Sequence, residues 1–160
     1  MSSYCFGYSE NLREVNSPMI TRVNDYSFQG YTSLQKVTTQ NVQTFGDYAF
    51  DNCTNLESVD TSSGVYFYRY CFSNCKKIDS LDFSSAYDIY YQAFYNCTGL
   101  RKIWLPSTCV IIGENFHEKA SEVDTVYTDA TEKPSSWDNE WNYCGHTVMW
   151  GSTHEEFENA

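Results

Sequence analysis

The side chains of this 160-residue chain that could react or hold a metal are seven cysteines, three histidines and 21 carboxylates. Cys53, Cys75 and Cys97 stand 22 residues apart, and Cys71 lies four before Cys75. Two thiols on one helical face do not close a tetrahedral metal site, which takes four ligands. The histidines are His117, His146 and His154. His117-Glu118 lacks the second histidine of the H-E-x-x-H zinc motif. Cys144-Gly145-His146 places a thiol near an imidazole but offers no third group to orient the base. Asp60 and Asp82 are also 22 apart. A solvated acidic stripe explains them more simply than a glycosidase pair. Neither G-x-G-x-x-G nor G-x-x-x-x-G-K-[ST] occurs. The residues therefore read as no enzyme, with no cofactor and no metal.

The interval of 22 is the informative feature. Phe6, Phe28, Phe50, Phe72, Phe94 and Phe116 keep it throughout. Six residues after them come Leu12, Leu34, Leu56, Ile78 and Leu100. Nine after come Val15, Val37, Val59, Leu81 and Ile103, and seventeen after come Val23, Phe45, Phe67, Ile89 and Ile111. Apolar columns that repeat in phase are the signature of a stacked solenoid. Val123 and Val126 fall one residue late after Phe116, which implies a one-residue insertion as the array ends.

Each unit reads as a short helical or 3₁₀ turn around the Phe, followed by a strand. Leu100-Arg-Lys-Ile103-Trp-Leu105 and Ile78-Asp-Ser-Leu81-Asp-Phe83 have the L-x-x-L-x-L form of a leucine-rich repeat strand. A second extended segment is expected around residues such as Val110-Ile111-Ile112. The fold class that follows is an α/β repeat, a right-handed solenoid of short parallel strands. Alternate strand residues point in and out. Glu14, Asn16, Lys36, Thr38, Ser58, Asp60, Ser80, Asp82, Lys102 and Trp104 are then expected in two outward rows, forming the ligand-binding face. Trp104 is the large aromatic among them. It serves either as an anchor for a ligand or packs on Pro106 and its neighbours. Cys53, Cys75 and Cys97 form an inward ladder. Rungs about 5 Å apart are too distant for a disulfide, whose Cβ atoms sit about 3.8 Å apart. These thiols are read as reduced and structural.

Asp47-Tyr-Ala-Phe50-Asp-Asn-Cys53-Thr-Asn-Leu56-Glu-Ser-Val59 resembles the unit of BspA-like leucine-rich repeats. So does Gln92-Ala-Phe-Tyr-Asn-Cys97-Thr-Gly-Leu100-Arg-Lys-Ile103-Trp-Leu-Pro106. The resemblance spans about residues 4–127. It departs where Ser9 and Tyr31 replace the cysteine and where most units lack the proline of Pro106. The stretch from Lys133 through Trp137 and Trp141 to Asn142, with Val148-Met-Trp150-Gly151, is similar to segments that end such arrays in bacterial proteins. The resemblance implies a surface or secreted location and a role in adhesion or protein binding, with a host or matrix protein as partner.

The organisation expected is an array over 1–127 of about five and a half units, a closing segment over 128–151, and a disordered acidic tail over 152–160. The open end of a solenoid core must be covered, and Trp137, Trp141 and Trp150 have the bulk to do so. The net charge of −11 argues against nucleic acid as a partner. No apolar run approaches the ~20 residues of a membrane span. The start, Met1-Ser-Ser-Tyr-Cys-Phe, has no secretory leader and opens inside a repeat, as a fragment would. Three function classes follow for a monomer of this kind. They are a protein-binding or adhesion module, a carbohydrate-binding module using exposed Trp and Tyr, and a spacer within a larger surface protein.

Overall fold

The computed structural model describes residues 9, 11–112, 123–142 and 145–160. Phe6, Phe116, Cys5, His117 and Cys144 lie outside them. The chain winds as a parallel-strand solenoid of about six turns. Most turns contribute two short strands. The first set is β1 (Glu14–Asn16), β3 (Lys36–Thr38), β5 (Ser58–Val59), β7 (Ser80–Asp82), β9 (Lys102–Trp104), β11 (Thr125–Thr128) and β12 (Thr147–Trp150). The second set is β2 (Arg22–Val23), β4 (Thr44–Phe45), β6 (Tyr66–Phe67), β8 (Asp88–Ile89) and β10 (Ile111–Ile112). A short helix, α1 (His154–Glu158), follows β12.

The register reproduces the sequence columns. Val15 pairs with Val37 and Val37 with Val59, while Leu81 pairs with Ile103. The late phase after Phe116 appears as the pairing of Val126 with Ile103, 23 residues apart rather than 22. The segment 128–151 supplies β12, which pairs with β11 through Val126 and Val148. Phe28, Phe50, Phe72 and Phe94 are fully buried and stack ring on ring. Their centroids are 5.0, 5.1 and 5.7 Å apart. Phe45 and Phe67 stack beside them at 5.0 Å. Aromatic rings thus fill the columns of this core, and offset stacking adds to the area they bury. Gly64 makes room for that second stack. A Cβ there would lie 2.3 Å from Cζ of Phe67 and 2.9 Å from a Phe45 ring carbon.

The expected helical or 3₁₀ turn around each Phe is absent from the described residues, where α1 is the one helix, so the α/β assignment is corrected to a β-solenoid. The reason is in the backbone. Tyr26, Tyr48, Tyr70 and Gln92, each two residues before a column Phe, have φ of 50–59°. Gly30, Asn52, Asn74 and Asn96, each two after, have φ of 57–77°. Left-handed residues on both sides of the Phe prevent a continuous right-handed turn. Alternate amides then bond across turns, while those between them close local turns, as Ala49, Asp51 and Cys53 do to the carbonyls of Gly46, Tyr48 and Phe50. In the unit of Phe50 the N–H groups of Tyr48, Phe50 and Asn52 donate to the carbonyls of Arg69, Cys71 and Ser73. After the Phe the sequence satisfies this geometry with Gly or Asn, the residues that tolerate it best, whereas before it Tyr or Gln adopts it.

Candidate functional site

The strand face holds the ten residues expected to bind, and exposure along it falls from one end to the other. Glu14, Asn16 and Lys36 are exposed. Thr38, Asp60, Ser80, Asp82 and Lys102 are partly covered, with Ser58 still exposed. Trp104 is buried, 5% exposed. It lies under α1, its ring centroid 5.1 Å from His154 and 6.1 Å from Phe157.

The segment 152–160 is therefore not a disordered tail over its helical part. Thr153 and Glu156 form a capping box, with Thr153 N donating to Glu156 Oε2 (2.7 Å) and Glu156 N to Thr153 Oγ1 (3.3 Å). A five-residue helix is marginal by itself, and this one is held by the strand face. Phe157 is buried against Trp104 and Tyr127. Lys102 donates its ammonium to the carbonyls of Phe157 (2.7 Å) and Ala160 (3.2 Å) at the helix C-terminus, where a cation is favoured. His154 Nε2 meets Asp82 Oδ2 at 2.9 Å and its Nδ1 lies 3.5 Å from Glu158. Sequence reasoning missed this helix. The Thr-x-x-Glu capping box was its one local signal.

Beside α1 the strand ladder opens. Strands β1, β3 and β5 pair among themselves, and β7, β9, β11 and β12 pair among themselves. Among the described residues no strand pairing joins β5 to β7. Between β1 and β3 and between β7 and β9 a backbone N–H closes the ladder at this level, Ser17 to Thr38 O and Phe83 to Trp104 O. Here the Thr61 hydroxyl donates instead to Asp82 O at 2.7 Å. A cleft of about 400 Å³ results, lined by Glu57, Ser58, Asp60, Asp79, Asp82 and Phe157 among others. Asp60 Oδ1 accepts from Ser62 N (3.1 Å) and Oγ (2.7 Å), and Asp82 Oδ1 accepts from both groups of Ser84. These bonds hold the two carboxylates in matched orientations at the strand ends. Lys77 touches Glu57 at 3.5 Å on the exposed rim, a contact of small energy. Four carboxylates around one opening make it attractive to cations and repulsive to phosphate.

Cys53, Cys71, Cys75 and Cys97 are free thiols, and all four are buried. Cys53, Cys75 and Cys97 donate to the carbonyls of Phe28 (3.0 Å), Phe50 (3.2 Å) and Phe72 (3.0 Å), one turn back. Burial pushes the Cys97 thiol up to about 12, and raises Cys53 and Cys75 well above the ordinary thiol value too. A thiol held protonated is a poor nucleophile and a poor metal ligand. Trp137 and Trp141 are buried in the core cluster, their centroids 4.7 Å apart. Trp137 Nε1 donates to Cys109 O at 2.9 Å. Trp150 is 39% exposed and packs on both. No helix among the described residues is long and apolar enough to cross a membrane.

No curated protein matches the sequence. Among solved structures, a leucine rich cell surface protein from Faecalibacterium prausnitzii is similar, with 21% identity and a TM-score of 0.68 over 88% of this chain and 35% of that one. The T. pallidum leucine rich repeat protein is similar with 24% identity and a TM-score of 0.70, over 73% of this chain and 59% of that one. The chain thus spans less than two thirds of either protein's length. Both likenesses carry the fold. The family is carried by the sequence itself, whose residues 1–124 match the BspA type leucine rich repeat region in six copies. The buried Phe columns, the thiol ladder and this match agree that the chain belongs to the BspA-type leucine-rich repeat family.

Proposed function

We propose that this protein is a non-enzymatic protein-binding module that takes a basic, extended segment of its partner into the cleft between β5 and β7. The observation that carries the reading is the opening of the strand ladder at Thr61, with Glu57, Asp60, Asp79 and Asp82 around it. An opening of about 400 Å³ suits one or two long side chains rather than a whole domain. Phe157 gives it one apolar wall against which the stem of a lysine or arginine packs. A location at a cell surface, and adhesion to a host or matrix protein, rest on the resemblance of the repeats and on the surface protein of similar fold. In this reading 128–151 closes the solenoid end, a role supported by the burial of Trp137 and Trp141. The winding is taken as right-handed, the sense of about 98% of parallel crossovers.

The test is selection of random twelve-residue peptides against the whole chain, followed by titration of the winners. Lys- and Arg-rich peptides should dominate. Their affinity should drop at least tenfold in the Glu57→Gln, Asp60→Asn, Asp82→Asn triple variant. Winners without basic residues, or unchanged affinity in that variant, would refute the reading.

A further inference from the structure

The second sheet carries a different surface. Arg22, Thr44, Tyr66 and Asp88 stand in register along β2, β4, β6 and β8. Tyr66 and Tyr87 are 37% and 47% exposed. They meet at 70° with centroids 6.3 Å apart, an open corner of two aromatic rings. Tyr90 stacks on Tyr68 beyond them at 5.0 Å. Asp88 follows Tyr87 in the chain and sits in register with Tyr66, about 5 Å away across the ladder.

Asp88 does not behave as an ordinary surface acid. It is 7% exposed, and its Oδ1 is buried with no hydrogen-bond partner among the described residues. Burial raises its pKa, and the Tyr90 phenol is raised by its own burial and then by the nearby Asp88. Arg69 is close enough to Tyr90 to act on that phenol, yet no ion pair joins it to Asp88 among the described residues. A buried acceptor normally finds a partner. A carboxylate held without one, beside exposed rings and in a chain of net charge −11, is a place prepared for a cation.

We propose that Tyr66, Tyr87, Asp88 and Tyr90 form a second binding site, which receives a lysine or arginine side chain of a protein partner. The carboxylate supplies the opposite charge. The rings supply the faces that attract a cation within about 6 Å of their centroids. An anionic ligand would meet only repulsion from Asp88. A neutral sugar could stack on the rings but would gain nothing from the charge. The site lies on the second sheet, so it stands or falls apart from the strand-face cleft.

The experiment is ¹H–¹⁵N shift mapping of the whole chain during titration with acetyl-Gly-Lys-Gly-amide, acetyl-Gly-Arg-Gly-amide and maltotriose. The two cationic peptides should give saturable shifts at residues 64–69 and 86–91. Asp88→Asn should weaken them at least tenfold with the remaining spectrum unchanged, and Tyr66→Leu should weaken them as well. The Glu57→Gln, Asp60→Asn, Asp82→Asn variant should leave these shifts intact even if the cleft reading fails. The proposal is overturned if neither peptide gives saturable shifts there, if maltotriose binds the patch as well as they do, or if Asp88→Asn binds them unchanged.

Discussion

Cys53, Cys75 and Cys97 show how a single side chain serves both core and backbone in this fold. Each fills an apolar column and donates to a Phe carbonyl of the preceding turn. Their pKa values are pushed far above the ordinary thiol range by burial. At pH 8, therefore, thiol reagents should leave all three untouched in the folded protein and label them only in denaturant, as read by mass spectrometry of labelled peptides. Rapid native labelling would contradict the ladder. Asp88 gives the opposite case, a charge that burial penalises. Its folded pKa lies above the ordinary 3.8, so the folded state binds its proton more tightly. The stability this gives is fully present below 3.8 and is lost as the pH rises through the higher folded value. Asp88→Asn should thus raise the melting temperature at pH 7 and have little effect at pH 3, measured by thermal unfolding at both. An equal effect at the two pH values would show that its charge is not the cause.

At the scale of elements, the strands were legible and the turns were not. Leu81, Ile103 and their equivalents sit where L-x-x-L-x-L places them because a period of two maps directly onto in and out. The stretch Asp47 to Cys53 looks equally like one helical turn in sequence. What decides it is the left-handed φ of Tyr48 and Asn52, and only Asn or Gly at the second position betrays that. The burial of Trp104 was illegible for another reason. Its cover, α1, comes from some 50 residues further along the chain, and no repeat rule encodes it. Since α1 depends on docking, Phe157→Ala should free it. Amide exchange of Phe157 and Asn159, which donate to Thr153 and Glu155, should rise to near-unprotected rates. The rest of the sheet should keep its protection. Retained protection of α1 would mean that the helix stands without Phe157.

For the whole molecule, one stacked core couples each turn to its neighbours. Phe72 touches Phe50 on one side and Phe94 on the other, all three fully buried. Phe72→Ala should cost ~3–5 kcal/mol by chemical denaturation, as buried Phe truncations do. Coupling in a solenoid passes between nearest neighbours. Hydrogen exchange should therefore accelerate first in the turns of Phe50 and Phe94 and only later near Phe28. Uniform acceleration across the chain would argue for a single global unit. The same continuity leaves the strand face to be set locally, by an opened ladder at Thr61 and by a helix laid over Trp104.

A hydrogen-exchange footprint distinguishes entry of a partner's basic segment into that opening from binding elsewhere on the molecule. A Lys- or Arg-rich peptide selected against the protein should, when bound, slow exchange at residues 57–62 and 79–84. The turns around Phe50 and Phe72 should not change. Protection confined to those turns or to 137–150, with 57–62 and 79–84 unaffected, would place the binding surface outside the opening.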